Sequence, residues 1–189
     1  MSARANSGDG LTRRGVLAAG SILLVIPTAA SASRADLERD ASASLQNLYA
    51  QSSKAAELGS KARAVLVFPA IVKAGFMVGG QNGSGVLFKN GRPIGYYRLS
   101  AGSFGFQAGA QKFSYALFFM TADSLAYLQK SQGWALGSGP SIVVLDKGKA
   151  ASMTTTTLSQ AVYAMPYGQH GLMGGIGLEG SKITPINPD

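Results

Sequence analysis

The sequence contains no cysteine and a single histidine. The first absence removes disulfides, thiolate metal sites, cysteine nucleophiles and a lipidated cysteine anchor together, so the fold must hold by burial alone. The second leaves His170 with no histidine or cysteine partner from which to build a typical zinc site. Charge is sparse as well: 14% of the residues are charged and nine are acidic. Four of the acids, Asp36, Glu38, Asp40 and Glu57, sit in the N-terminal helical stretch, and Asp123, Asp146, Glu179 and Asp189 are scattered beyond it. No carboxylate pair stands at a spacing that predicts acid–base or hard-metal chemistry. A serine triad would need His170 as its base, and no GxSxG elbow accompanies it, so His170 reads as a residue of a glycine-flanked turn. These absences predict a protein that is not an enzyme and carries no cofactor or metal.

What is present is glycine and positive charge. A length of 189 residues is a prior for one domain. The 25 glycines lack the three-residue period of collagen and favour turns, bulges and closely approached strands. Thr12, Arg13, Arg14, Gly15, Val16 and Leu17 open a modest apolar run to Ile26, followed by Pro27 and small residues ending in Ala30-Ser31-Ala32. That order is the order of a signal peptide, and the adjacent Arg13 and Arg14 match the twin-arginine type. The run is far short of the ~20 residues needed to span a bilayer, so cleavage near Ala32 and export to the periplasm or envelope are expected. The division is therefore residues 1–32 as signal and 33–189 as the mature domain. Three of the 17 basic residues and one of the nine acids precede Ser33, leaving a net charge of about +6 after it. Such a surplus suits anionic partners.

From Arg34 to about Leu58, apolar residues recur at Leu37, Ala41, Leu45, Leu48 and Tyr49, which is helical spacing. Ser33 is placed to cap this helix, Asp36 and Glu38 suit its positive first turn, and Gly59 is expected to end it. The stripe is rich in alanine and lacks the aromatic bulk of interfacial helices, so it is expected to pack on a sheet. From Ala64 onward β-branched and aromatic runs alternate with glycine. They cover 65–68, 71–78, 85–88, 94–99, 104–120, 142–145, 161–165 and 172–178. Between Gln111 and Phe119 alternation puts Phe113, Tyr115, Leu117 and Phe119 on one core face, with Lys112, Ser114 and Ala116 on the other. A short helix over 122–130 and a glycine-rich loop holding Trp134 follow. Trp134 is expected to pack over the domain's edge, the alternative being a dip into a membrane interface.

The sharpest local signal is Lys89-Asn90-Gly91-Arg92, because Asn-Gly between apolar runs calls for a type I′ hairpin turn. The register then sets Pro93 opposite Phe88 and Lys89 opposite Arg92, a like-charge pair that costs a few tenths of a kcal/mol. Two weaker patterns carry nothing. Gly175, Gly177 and Gly180 satisfy GxGxxG, but prolines at 185 and 188 deny the helix that dinucleotide binding requires. Asn82-Gly83-Ser84 reads as a tight turn. Nucleic-acid binding is not expected, because the cations are scattered without an interleaved aromatic–basic signature.

Three blocks together resemble the SYLF family. They are Val72-Lys73-Ala74-Gly75-Phe76 with Gly79-Gly80 and Gly83-Ser84-Gly85-Val86; Gly105-Phe106-Gln107-Ala108-Gly109-Ala110-Gln111; and Tyr167 with Gly171-Leu172 and Gly174 through Ser181. The resemblance runs from about Leu45 to Ile183. It implies an α+β fold: an antiparallel, glycine-rich β-sheet with a barrel-like core, an N-terminal amphipathic helix and a short internal helix. It also implies binding to anionic membrane phospholipids, with no catalysis. Family lipid binding attributed to basic residues and an amphipathic N-terminal segment would fall here on Lys54, Lys61, Arg63 and Lys73. The hairpin-tip pair Lys89 and Arg92 is added on the grounds of its position. A structural or protein-interaction module of the cell envelope stands as the alternative.

Overall fold

The computed structural model describes residues 33–76, 78–104, 109–145, 159–171 and 180–189. The expected signal, with Arg13 and Arg14, lies outside the described residues, as do Thr154 to Thr157, the expected strand over 172–178 and the heart of the second glycine block. Helix α1 (Arg34–Gln51) begins as its sequence dictates, with the Asp36 amide donating to the Ser33 hydroxyl at 3.2 Å. The helix does not continue to Leu58 as one piece. Ser52 adopts an extended backbone, and its hydroxyl accepts from the Ala55 amide at 3.2 Å, capping a second helix, α2 (Ser53–Lys61). Serine competes well for this role, because its side chain satisfies an amide that the helix interior cannot. Gly59 does not end the helical region either. It lies inside α2, where a Cβ would run into the ring of Tyr49, so the residue serves close approach between the two helices.

Eight strands follow in one sheet. They are β1 (Ala64–Phe76), β2 (Val78–Lys89), β3 (Arg92–Phe104), β4 (Gly109–Phe119), β5 (Trp134–Ala135), β6 (Ile142–Val144), β7 (Val162–Gly171) and β8 (Lys182–Pro185), with helix α3 (Ala122–Lys130) after β4. Their spatial order is β5-β8-β3-β2-β1-β4-β7-β6, antiparallel throughout except for the parallel β6–β7 pair. The sheet curls into a half barrel, the α+β architecture that the family resemblance implied. Two expected runs, 65–68 and 71–78, are parts of the single strand β1 and the start of β2. They read as two because β1 bulges at Pro69 and Ala70. A proline lacks the N–H a ladder needs, and a bulge accommodates it. The expected strand over 104–120 is divided between the end of β3 and the whole of β4.

Both faces of the sheet are buried at its centre, which the reading of β4 as having one core face did not anticipate. On the inner face of the curl, Leu66, Phe68 and Ile71 of β1 meet Phe113, Tyr115, Leu117 and Phe119 of β4, with Leu125 and Leu128 of α3. On the other face Val65, Val67, Val86, Phe88, Ala116 and Phe118 lie under Leu37, Ala41, Leu48, Ala55 and Leu58. The stripe of α1 therefore packs on the sheet. Each large side chain so buried contributes about 1.5–3 kcal/mol, which is how a domain without cross-links holds together. Gly83 and Gly85 of β2 belong to the inner face. A Cβ at Gly85 would stand 2.6 Å from the ring of Phe68, and one at Gly83 would stand 2.7 Å from Ile71 Cγ1. The glycine block thus lets large rings from β1 lie across its neighbour strand.

Trp134 is fully buried, its ring 6.1 Å from that of Phe119 and 6.0 Å from that of Tyr127, and its indole N–H donates to the Ser138 carbonyl at 2.7 Å. It packs as expected, within β5, and has no surface to offer a membrane. The two ends of the described fold are tied together. The Arg34 amide donates to the Asp189 carbonyl at 2.8 Å, its guanidinium donates to the Pro188 carbonyl at 3.1 Å, and that guanidinium also lies over the Tyr96 ring at 5.3 Å. Tyr96 in turn donates its hydroxyl to the Glu38 carboxylate. Among the described residues no helix is long and apolar enough to cross a membrane.

Candidate functional site

The β2–β3 hairpin forms with the expected register: Asn90 and Gly91 take φ of 52° and 73°, Phe88 pairs with Pro93, and Lys89 pairs with Arg92. Positive φ at both central residues is what a type I′ turn demands and what Asn-Gly supplies. Beside this tip a groove of about 540 Å³ opens between the helices and the sheet. Leu45, Tyr49, Val65 and Phe88 give it apolar walls, while Arg63, Asn90 and Gly91 stand at its rim. Burial raises the Tyr49 phenol above its ordinary pKa, so this wall is uncharged at neutral pH.

The expected lipid-binding residues divide into three groups. Arg63, Lys89 and Arg92 are exposed at this end of the sheet, and no ion pair engages them among the described residues. Lys54 and Lys61 share one carboxylate: Glu57 accepts from Lys54 at 2.9 Å and from Lys61 at 2.8 Å. These two hydrogen bonds hold Glu57 down at about 2, well below the usual carboxylate range, so the pair of ammonium groups is half neutralised at any physiological pH. Lys73 stands apart. It pairs with Gln81 on one side and Gln111 on the other, eight residues along β1 from Val65, which puts it about 25 Å from the hairpin end at the rise of an extended strand.

The sequence reading passed over a second constellation. Lys112 of β4 and His170 of β7 are directly paired across the ladder. His170 therefore lies in a strand, not in the turn that its glycine neighbours suggested. Lys112 was legible as an outward-facing residue from alternation, but nothing local in the sequence announces that β7 lies beside β4. Among the described residues no group of histidine, aspartate and glutamate is placed to hold a metal ion.

A curled, mostly antiparallel sheet with α1 and α2 on its outer face, α3 against its inner face and a cationic, groove-bearing end defines a small α+β domain. Residues 100–187 match the family model described as Ysc84, Las17-binding protein actin regulator, which is that of the SYLF family. The match takes in the second and third glycine blocks and leaves the first, in β1 and β2, before it. No curated protein matches the chain.

Proposed function

We propose that the domain is an exported, non-enzymatic module that binds anionic phospholipid surfaces through the cations at its hairpin end. The observation that carries this reading is Arg63 at the rim of an apolar-walled groove, with Lys89 and Arg92 flanking the turn residues Asn90 and Gly91 of the same rim, all three free of ion pairs among the described residues. Such cations contribute about 1 kcal/mol each near an anionic leaflet, so three of them hold a domain there reversibly. The groove adds a place where an apolar segment of a lipid enters without exposing the core. Lys61 supplements the group only partly, because Glu57 offsets it, and Lys73 lies too far along β1 to touch the same surface patch.

Flotation of the mature protein with vesicles tests the reading. Binding should rise with the anionic fraction and fall when Lys61→Glu is combined with Arg63→Glu; indifference to either change overturns it. The family description, with its binding of Las17 and regulation of actin, favours a second reading as a protein-interaction module. Val72 and Ile94, large apolar residues that remain exposed at 52% and 44%, offer it surface. A stable self-association or a cross-linked envelope partner, with no response to vesicles, would select this second reading.

A further inference from the structure

The helix-bearing face of the sheet carries another cavity, of about 290 Å³, lined by Ser44, Asn47 and Gln51 on the other side of α1 from Leu45 and Tyr49 of the hairpin groove. It exists because two strands are irregular at the same level. β1 bulges at Pro69 and Ala70, and β7 bulges opposite Phe113, where Gly168 takes a φ of 61°. Bulges re-aim side chains, and the two together leave Ser114 of β4 at the bottom of a depression roofed by α1. The Ser114 hydroxyl donates to the Pro69 carbonyl at 2.7 Å, and the hydroxyls of Ser44 and Tyr167 share a hydrogen bond of 2.8 Å. These bonds fix the floor and one wall. The groups left over are donors: Asn47 and Gln51 from α1, Lys112 from β4 and His170 from β7 line the opening. None of the four has a side-chain hydrogen bond or ion pair among the described residues.

From this arrangement we infer that the cavity is a binding site for a phosphate group, with Lys112 as its cation, the His170 imidazole paired across the ladder as an N–H donor, and the Asn47 and Gln51 amides as supporting donors. Its lining contains no carboxylate. An ammonium and an imidazole N–H held opposite each other, with no acceptor of their own, both find a partner in an anion placed between them. The charged and titratable groups facing His170 can be named element by element. α1 contributes only neutral side chains, β1 contributes Pro69, β4 contributes Lys112 and Ser114, and β7 contributes Tyr167. Burial pushes the Tyr167 phenol up to about 12, so it stays neutral. The C-terminal carbonyls of α1 oppose an anion weakly, and one of them, that of Leu48, is taken by the Ser52 amide.

As the chain's one histidine, His170 gives a single imidazole signal to follow by proton NMR. Sulfate is the first probe, since its charge stays constant across the pH range while phosphate's does not. Saturating sulfate should displace the His170 imidazole signals and saturate with concentration, the response expected when an anion docks against the ring. Lys112→Gln should weaken sulfate binding about fivefold or more, the loss of roughly 1 kcal/mol of charge-assisted contact. Glycerol 3-phosphate and phosphatidic acid vesicles then distinguish a soluble phosphate ester from a lipid headgroup; a response to either supports the site. The hairpin variant Arg63→Gln/Lys89→Gln/Arg92→Gln should retain the full His170 response, which separates this site from the proposed membrane-binding end. A His170 signal that ignores all three probes, or a sulfate response unchanged by Lys112→Gln in a folded variant, overturns the inference.

Discussion

Neutralising Arg63, Lys89 and Arg92 together tests the membrane reading where its physics is most exposed. Each of the three cations is solvent-exposed, and no carboxylate engages it among the described residues, so each is free to meet a lipid phosphate. At about 1 kcal/mol per cation, converting all three to glutamine removes about 3 kcal/mol, or roughly a 150-fold drop in partitioning onto a strongly anionic vesicle. The fold should not suffer. Arg63 is held by its backbone, whose amide donates to the Phe119 carbonyl at 2.7 Å, and the Lys89–Arg92 pair is a cross-strand repulsion whose removal stabilises the hairpin by a few tenths of a kcal/mol. The assay is flotation with phosphatidylcholine vesicles at rising phosphatidylglycerol content, with thermal melts alongside. Salt supplies a second axis: in 1 M salt the Debye length contracts to about 3 Å, and binding by the parent protein should collapse toward that of the triple variant. Lys73→Gln serves as the comparison, because it removes the same unit charge from the far end of β1. Partitioning of the triple variant within about twofold of the parent, or an equal loss from Lys73→Gln alone, would refute the reasoning.

Gly85→Ala should destabilise the domain by about 1–3 kcal/mol, because its Cβ would overlap the buried Phe68 ring and the Val67 carbonyl; a melt unchanged or raised would show that β2 shifts freely. Trp134→Ala should cost about 3–5 kcal/mol in denaturant unfolding. In the unaltered protein, Trp134 emission should not respond to vesicles, and a blue shift on their addition would mean that the indole leaves its pocket. The Tyr167 phenol, raised by burial to about 12, makes the folded state fully stable below the unfolded value near 10 and progressively weaker as pH climbs toward 12, since the unfolded chain ionises first. Tyr167→Phe should flatten that alkaline loss, and an identical pH profile for the variant would remove Tyr167 from the account. Glu57, held at about 2 by Lys54 and Lys61, acts in the opposite sense. Its contribution is present above the ordinary carboxylate value near 4.5 and is lost as pH falls toward 2, a loss that Glu57→Gln should abolish in acid unfolding monitored by circular dichroism.

The sequence announced whatever rests on short-range geometry. Asn90-Gly91 set the turn and, through it, the pairing of Phe88 with Pro93 and Lys89 with Arg92. The spacing of Leu125 and Leu128 sufficed for α3. What escaped was set by contacts distant in sequence. Gly59 looked like a helix end until Tyr49, ten residues earlier, was seen to need its space. The outer face of β4 looked half-solvated because nothing in Ser114, Ala116 and Phe118 reveals that α1 and α2 fold back over it. Of the binding candidates, Arg63, Lys89 and Arg92 come together. Glu57's hold on Lys61 and the distance to Lys73 depend on helix phase and strand length. Lys112 and His170, 58 positions apart, become neighbours only through the β4–β7 pairing.

The bond between the Arg34 amide and Asp189 makes the folded unit a loop in all but covalent connection. Any handle fused before Ser33 or after Asp189 leaves from one spot, so a surface-immobilised molecule would present the same side whichever terminus was used. Joining the two ends by a short linker and reopening the chain elsewhere should yield a circular permutant with the same sheet. Pulling the ends apart would load this clasp and the short strand β8 first, long before the central strands felt any tension.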